Sequence, residues 1–510
     1  MHSRLCSLLT LLLSGLFIEA SPGGESPVKI VLVGDSTVCD YPATLPTRGW
    51  GMYLQEAFRA PVQVMNLAKS GRSTKTFRSE GRWAATLAEH PAYIFIQMGH
   101  NDSHGPGRPE STDAATEYAE NLRSFIRESR EIGAQPVMVT PMVRRTFNED
   151  GTPRDHLAPY AAAMTAVADG LGVPLIDLHA SSLQLLLRQG DADSAAFSNA
   201  EGDRTHFNET GARAMAGLVI QELPFMVPGL SPLLAKPVPI EVYLVGGQSN
   251  ATGQGYLANL PAGTAPDHRV LLFHSGRPHL DSGAPPLTWM PLRQASESPD
   301  RFGPELGFGN HLQELRPGTK LALIKHAHSG TNLHKDWLPG DSVHLESAGP
   351  QYKAFVETVE QGLAGLCQIG YEPRLAGMIW QQGESDAKGT EIAAAYGTHL
   401  KDFIARVREQ FQAPELRFVY GEVLPPPNAG EARDLVRTGQ AAVDEASGGP
   451  LSVPGARLVK TDDLDHRAND PNTRYPTDHV HFGTLGTWEM GRRFAEAMVR
   501  EGVLPEKTTR

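Results

Sequence analysis

The sequence predicts an α/β protein made of two domains in tandem, each built around a parallel sheet. Three observations lead there. The chain has 510 residues, more than one hydrophobic core organises. Short apolar runs alternate with longer amphipathic stretches through both halves, the pattern of parallel strands covered on both faces by helices. A chemical phrase also occurs twice: a serine in a turn directly after an apolar run, and far downstream an aspartate three residues before a histidine.

In the first half, strands are expected at residues 29–33, 62–67, 93–98, 135–140 and 174–178, and helices at 51–58, 112–132, 160–171 and 209–222. In such sheets ligands gather at the carboxyl ends of the strands, and Ser36 stands just past the first. Pro224, Pro228, Pro232, Pro237 and Pro239 then crowd one stretch. Such a segment continues neither a helix nor a central strand, so 224–239 reads as a stiff linker. The second half restarts with a strand at 240–245. Further strands are expected at 320–325, 375–380, 417–422 and 457–460, and helices at 305–315, 352–366, 391–411, 432–446 and 485–500. Residues 259–300 are rich in proline and glycine without a period; they read either as a wall of a cleft or as a structural insertion.

His2 and Arg4 precede an apolar stretch from Leu8 to Ile18, followed by Ala20 and Ser21. This reads as a signal peptide over residues 1–21, directing the protein out of the cell or into a periplasm. The stretch is too short to span a bilayer, and no later segment reads as a membrane span. The domains are then expected at 27–223 and 240–505, with the linker between them. Of three cysteines, Cys6 falls in the leader, leaving Cys39 and Cys367, one per half, as two free thiols. A formal net charge of -12 argues against a nucleic-acid partner, because no basic surplus exists to neutralise phosphates.

Ester hydrolysis by a serine needs a nucleophile, a base, a group to orient the base, and donors for the oxyanion. Ser36 lies in a Gly34-Asp35-Ser36-Thr37 turn. Gly71 follows the second strand and offers a backbone N–H, while Asn101, in Gly99-His100-Asn101-Asp102 after the third, offers an amide. With Asp203 and His206 three apart on one loop, the carboxylate can hold Nδ1 while Nε2 faces Ser36. This order of blocks resembles the SGNH-hydrolase superfamily, also called GDSL esterases, over residues 29–222. The finer motifs Arg48-Gly49-Trp50-Gly51, Gly71-Arg72-Ser73-Thr74, Gly81-Arg82-Trp83, Thr140-Pro141-Met142-Val143-Arg144-Arg145 and Thr205-His206-Phe207-Asn208 are similar to those of rhamnogalacturonan acetylesterases. The resemblance implies a flavodoxin-like three-layer α/β/α fold and removal of acetyl groups from pectin. It also implies Ser36 as nucleophile, His206 as base, Asp203 as its orienter, and Ser36 N–H, Gly71 N–H and Asn101 as the oxyanion hole.

The second half repeats the parts. Gly247-Gln248-Ser249-Asn250 follows its first strand, and His328-Ser329-Gly330-Thr331 the next. Trp380-Gln381-Gln382-Gly383-Glu384-Ser385-Asp386 follows another, and Asp478 and His481 close the set. Residues 240–501 resemble the sialate O-acetylesterase-like group, which includes carbohydrate esterases acting on acetylated xylan. Ala251 departs from that pattern, where a methionine usually follows the turn, which bears on acyl or sugar preference. The resemblance implies Ser249 as nucleophile, His481 as base, Asp478 as orienter, and Gly330 and Gln382 as oxyanion donors.

Other residues carry competing readings. Trp50 and Trp83 suit sugar platforms or core packing, Arg144 and Arg145 a galacturonate carboxylate or the solvent, and His100 the site or the scaffold. Asp102 reads as a loop-fixing carboxylate. His479 points away from the site if its backbone is extended, and Glu384 competes with Asp478, which the spacing favours. His326, His328 and His334 fit no metal-site pattern, and no cofactor is called for. The expectation is a secreted carbohydrate O-acetylesterase acting on acetylated polysaccharide or oligosaccharide: pectin through the first domain, xylan or another acetylated glycan through the second. The alternatives are a broad lipid or aryl esterase, or one catalytic domain beside a glycan-binding one.

Overall fold

The computed structural model describes residues 27–276, 278–341, 344–424 and 429–499. The expected leader at 1–21 and the last residues of the expected second domain, 500–505, lie outside them. The chain separates into two compact units at Val238–Pro239, with Ile369–Tyr371 grouped with the first. Among the described residues no helix is long and apolar enough to cross a membrane.

The first unit holds β1 (Lys29–Gly34), β2 (Gln63–Asn66), β3 (Tyr93–Gln97), β4 (Gln135–Val139) and β5 (Leu175–Ile176). They form one sheet in the order β2-β1-β3-β4-β5, every pair parallel. This is the flavodoxin-like order, whose direction of progression reverses between β1 and β3 and opens a crevice at their carboxyl ends. Ile30, Val31, Leu32 and Val33 are all fully buried, as a strand covered on both faces requires. Helices at Ala119–Glu131, Ala158–Leu171 and Glu209–Ile220 flank the sheet near the expected places. Three helices were not expected: Thr74–Ser79, Arg82–Ala88 and Leu178–Ser194. The last is interrupted at Gly190, whose φ of 71° is non-helical, and its serines, glutamines and aspartates dilute the apolar period. The stretch expected as a stiff linker folds, up to Val238, as part of the first unit. Leu223–Met226 and Pro228–Leu233 form helical turns, with a proline at the start of each, where its missing N–H costs nothing. Leu223, Val227, Leu230 and Leu234 are buried there.

The second unit holds β6 (Val238–Gly247), the ribbon strands β7 (Gly255–Tyr256) and β10 (Arg301–Phe302), and β8 (Leu271–His274), β9 (Met290–Pro291), β11 (Leu321–Ala327), β12 (Tyr371–Gln381), β13 (Arg417–Gly421) and β14 (Ala456–Val459). The large sheet runs β14-β13-β12-β6-β11-β8-β9. Read outward from β6, the strands β11-β6-β12-β13-β14 repeat the arrangement β2-β1-β3-β4-β5 of the first unit. The strands β8 and β9 are additions, supplied by the 259–300 region that the sequence leaves as a loop. The sheet is therefore not wholly parallel: β9 returns antiparallel to β8, a two-residue edge made by a local reversal of the chain. Helices Pro304–Leu315 and Thr484–Val499 pack together on this unit's apolar core, which includes Tyr243, Leu323, Ile379 and Phe494.

Candidate active sites

In the first unit, Ser36 leaves the end of β1 and is almost wholly buried. A network beneath it fixes the turn. Asp35 Oδ1 accepts from Thr37 N and Thr37 Oγ1 at 2.9 and 2.8 Å. Gln97 Nε2 donates to Thr37 Oγ1 and its Oε1 accepts from Trp50 Nε1. Asp35 Oδ2 lies 3.3 Å from His100 Nδ1; burial opposes the charge on Asp35, but His100 and the Thr37 donors together hold its carboxyl below the usual range. His206 Nε2 stands 3.0 Å from Ser36 Oγ, and His206 Nδ1 stands 2.9 Å from Asp203 Oδ2. Asp203 Oδ1 accepts from Thr205 N and His206 N, each at 2.8 Å. Burial would raise the Asp203 carboxyl, yet these two amides and the imidazole lower it, so it stays an anion facing the ring.

Arg145 holds this loop from behind. Its Nη2 donates to Asp203 O at 3.0 Å and His206 O at 2.6 Å, and its backbone N–H donates to Arg204 O. Arg144 spans Thr205 Oγ1 and His100 O. Arg145, at 2% exposure, holds the loop and faces neither solvent nor a sugar carboxylate, whereas Arg144 is only partly buried. Burial pushes Arg145 down to about 10, leaving it a cation at neutral pH. Gly71 is exposed with φ 81°, and Asn101 Nδ2 donates to Arg72 O at 3.1 Å. Asp102 ties the neighbouring loop down through Thr74 N, Thr74 Oγ1 and Thr112 Oγ1. Trp50 and Trp83 are core residues, 1% and 2% exposed, and so are not sugar platforms; Trp83 Nε1 is bonded to Glu128 Oε2.

The second unit rebuilds this arrangement. His481 Nε2 stands 3.0 Å from Ser249 Oγ, and His481 Nδ1 lies 3.0 and 2.9 Å from the two oxygens of Asp478. The Asp478 carboxyl also accepts from Val480 N and His481 N. Burial opposes its charge, but His481 and the amides outweigh that and lower it to about 2. Gly247, at φ 132°, packs so tightly that a Cβ there would sit 2.1 Å from Gln381 O. Gly330 is exposed at φ 77° with open space around its Cα. Gln382 Nε2 donates to Thr331 O at 3.2 Å, just as Asn101 Nδ2 does to Arg72 O; each acceptor directly follows the glycine of its block. The amides differ in their second hydrogen. That of Gln382 is drawn to Asp386 Oδ2 at 2.5 Å and Gln248 Oε1 at 3.2 Å, so this hydrogen must leave both to serve an oxyanion.

Asn250, Glu384 and Arg467 also shape this site. Asn250 Nδ2 donates to Glu384 Oε1 and Val480 O, and its Oδ1 accepts from Phe482 N, so it grips the chain on both sides of His481. Glu384 is buried, and burial raises its carboxyl; it touches Asn250, whereas Asp478 touches the His481 ring. Arg467 donates its backbone N–H to His481 O and brings Nη1 to 3.6 Å from Asp478 Oδ2. A lone arginine in an irregular loop leaves no pattern to read, whereas Asn250 sits inside the Gly-Gln-Ser-Asn turn. His479 is exposed, with its ring 5.8 Å from that of His466. His326 spends both ring nitrogens on Ser275 and Gln351. The 259–300 region is tied to the loops beside Ser249: Ser296 Oγ donates to Gly253 O, and His279 Nδ1 accepts from Ser329 N.

Residues 32–214 match the model of the GDSL-like lipase/acylhydrolase family, and residues 239–500 that of the carbohydrate esterase, sialic acid-specific acetylesterase family. Rhamnogalacturonan acetylesterase RhgT of Bacillus subtilis is 38% identical over 213 residues, covering 39% of this chain and 90% of that protein. An acetylxylan esterase of Xylanibacter ruminicola is 24% identical over 232 residues, 38% of this chain and 43% of that one. The solved structure of Axe2, an acetylxylan esterase from Geobacillus stearothermophilus, is 22% identical and covers 39% of this chain and 95% of its own, with a TM-score of 0.32. Two α/β units with serine, histidine and aspartate assembled at their strand ends, and two matching family models in tandem, make the chain a carboxylic-ester hydrolase that belongs to the carbohydrate esterase, sialic acid-specific acetylesterase family through residues 239–500, preceded by a domain of the GDSL-like lipase/acylhydrolase family.

Proposed function

We propose that the chain is a two-site carbohydrate O-acetylesterase of polysaccharide breakdown. Ser36-His206-Asp203 acts on acetylated pectin of the rhamnogalacturonan type, and Ser249-His481-Asp478 on acetylated xylan or a related glycan. The observation that carries this reading is the 3.0 Å approach of an imidazole Nε2 to a serine Oγ in each unit, with an aspartate on the other ring nitrogen. In each site the histidine takes the serine proton as Oγ attacks the acetyl carbonyl carbon. The oxyanion is met by Gly71 N–H and Asn101 in the first site, and by Gly330 N–H and Gln382 in the second. Collapse returns that proton to the departing sugar oxygen and leaves an acetyl-serine. Water, deprotonated by the same histidine, then releases acetate. The ionised Asp203 and Asp478 keep each ring in the tautomer that accepts at Nε2 and favour its protonated form during the step.

The choice of substrates is supported by the names of relatives that the chain matches, rhamnogalacturonan acetylesterase and acetylxylan esterase. The basic and then apolar opening of the sequence supports export to where such polymers lie. The test is acetate release from acetylated pectin, acetylated xylan and acetylated sialosides by the Ser36→Ala and Ser249→Ala proteins. Loss of pectin activity in the first and of xylan activity in the second is the expected result. A variant that leaves acetate release from every glycan untouched would show that its unit is not an esterase.

A further inference from the structure

Tyr475 is one of the few large rings left exposed, at 41%, and it stands on the loop that carries Asp478. Its carbonyl accepts from Asp478 N at 3.0 Å, and its own N–H donates to Thr473 Oγ1 at 3.1 Å. One face of the ring is covered: Arg467 Cζ lies 3.6 Å from its centroid. That guanidinium is itself nearly buried, at 5% exposure. It is held by Nη2 on Tyr256 Oη at 2.9 Å and stands 3.6 Å from Asp478 Oδ2 through Nη1. The ring is therefore clamped on one side, open to solvent on the other, and separated from the candidate triad carboxylate by a single guanidinium.

An exposed ring costs hydration unless something uses it, and a clamped ring loses little freedom when a ligand lands on it. A pyranose has one face lined by C–H groups, whose slight positive charge complements the electron-rich face of a phenol ring. We propose that Tyr475 is a stacking platform of the second site, which takes the C–H face of a pyranose ring of an acetylated oligosaccharide and sets that chain against Ser249. Arg467 then fixes two things at once, the platform's plane and the charge beside the base. The proposal rests on the carbohydrate reading above and deepens it, because it assigns recognition to the sugar backbone rather than to the acetyl group.

The test uses the full chain carrying Ser36→Ala, so that only Ser249 works, with two substrates: acetylated xylo-oligosaccharides and p-nitrophenyl acetate, which has no pyranose. Tyr475→Ala is expected to raise KM for the oligosaccharides about tenfold while leaving kcat/KM on p-nitrophenyl acetate within about twofold. Tyr475→Phe, which keeps the ring, is expected to match the parent on both. An unchanged oligosaccharide KM in Tyr475→Ala overturns the platform. An equal loss on both substrates also overturns it, because the ring would then serve only to hold Arg467 and Asp478. A parent that hydrolyses p-nitrophenyl acetate and releases no acetate from any acetylated glycan overturns the carbohydrate reading itself, and the platform falls with it.

Discussion

Asn101 and Gln382 occupy the same place in their units, yet they are differently prepared. Asn101 Nδ2 has its bond to Arg72 O, and its other hydrogen is the one assigned to the oxyanion. Asn101→Ala is therefore expected to lower kcat of the first site about 10²–10³-fold with KM little changed, as measured on acetylated pectin in a Ser249→Ala background. Two glycines make a second contrast. Gly247→Ala drives a methyl into the Gln381 carbonyl and is expected to yield little folded protein. Gly330→Ala meets open space and keeps its N–H, so it bears only the cost of left-handed backbone, about 1–2 kcal/mol, read as a modest drop in melting temperature. At this scale the sequence reveals much of what the two sites contain. A serine after an apolar run and an Asp-x-x-His are spacing signals, and spacing survives in the linear chain. Arg467 and the clamping role of Arg145 do not survive there, because their partners are backbone carbonyls and rings that only the folded loops bring near.

The loops that present these residues are tied to one another by buried carboxyls. Asp102 joins the loop after β3 to the start of the Thr74–Ser79 helix, the loop-fixing part its sequence context suggests. Burial raises its carboxyl from 3.8 to about 7, in spite of the threonine donors. The folded state thus binds a proton there more tightly than the unfolded chain does. The stability this contributes is complete below about pH 4 and is lost as the pH rises through about 7. Thermal melts of the wild type are expected to show this downward slope between those limits, and Asp102→Asn to flatten it; a parallel slope in both proteins would mean that other groups set it. Alternation of apolar and amphipathic runs is enough to recognise parallel layers, but not their order across the sheet, which depends on which side each crossover returns. For the same reason β8 and β9 stay hidden in a stretch whose prolines and glycines mask two short edge strands, and the helix Leu178–Ser194 is obscured by its polar composition.

For the whole molecule, the two units carry separate sets of serine, histidine and aspartate, and the catalytic reading makes their activities additive. On p-nitrophenyl acetate, which either site can use, the rates lost in Ser36→Ala and in Ser249→Ala are expected to sum to the wild-type rate within about 20%, as independent sites require, and the double variant to be inactive. A single variant that abolishes all activity would contradict two independent sites. The tandem architecture was legible because the same phrase restarts after residue 239. The point of division was less so, because the prolines between 224 and 237 finish the first unit rather than link it to the second.

The arginines behind the two histidines show that the halves brace their loops differently. Arg145 reaches the Asp203–His206 loop from the segment after β4, whereas Arg467 comes from eleven residues before Asp478 on the approach to the loop itself. The braces differ in kind as well as in origin: a guanidinium on the two carbonyls in the first half, a backbone N–H on His481 O in the second. A graft that moves the Asp-x-x-His segment of one half into the other would thus arrive without its support or with two competing ones, and recombination between these halves would have to exchange whole units to leave working enzymes behind.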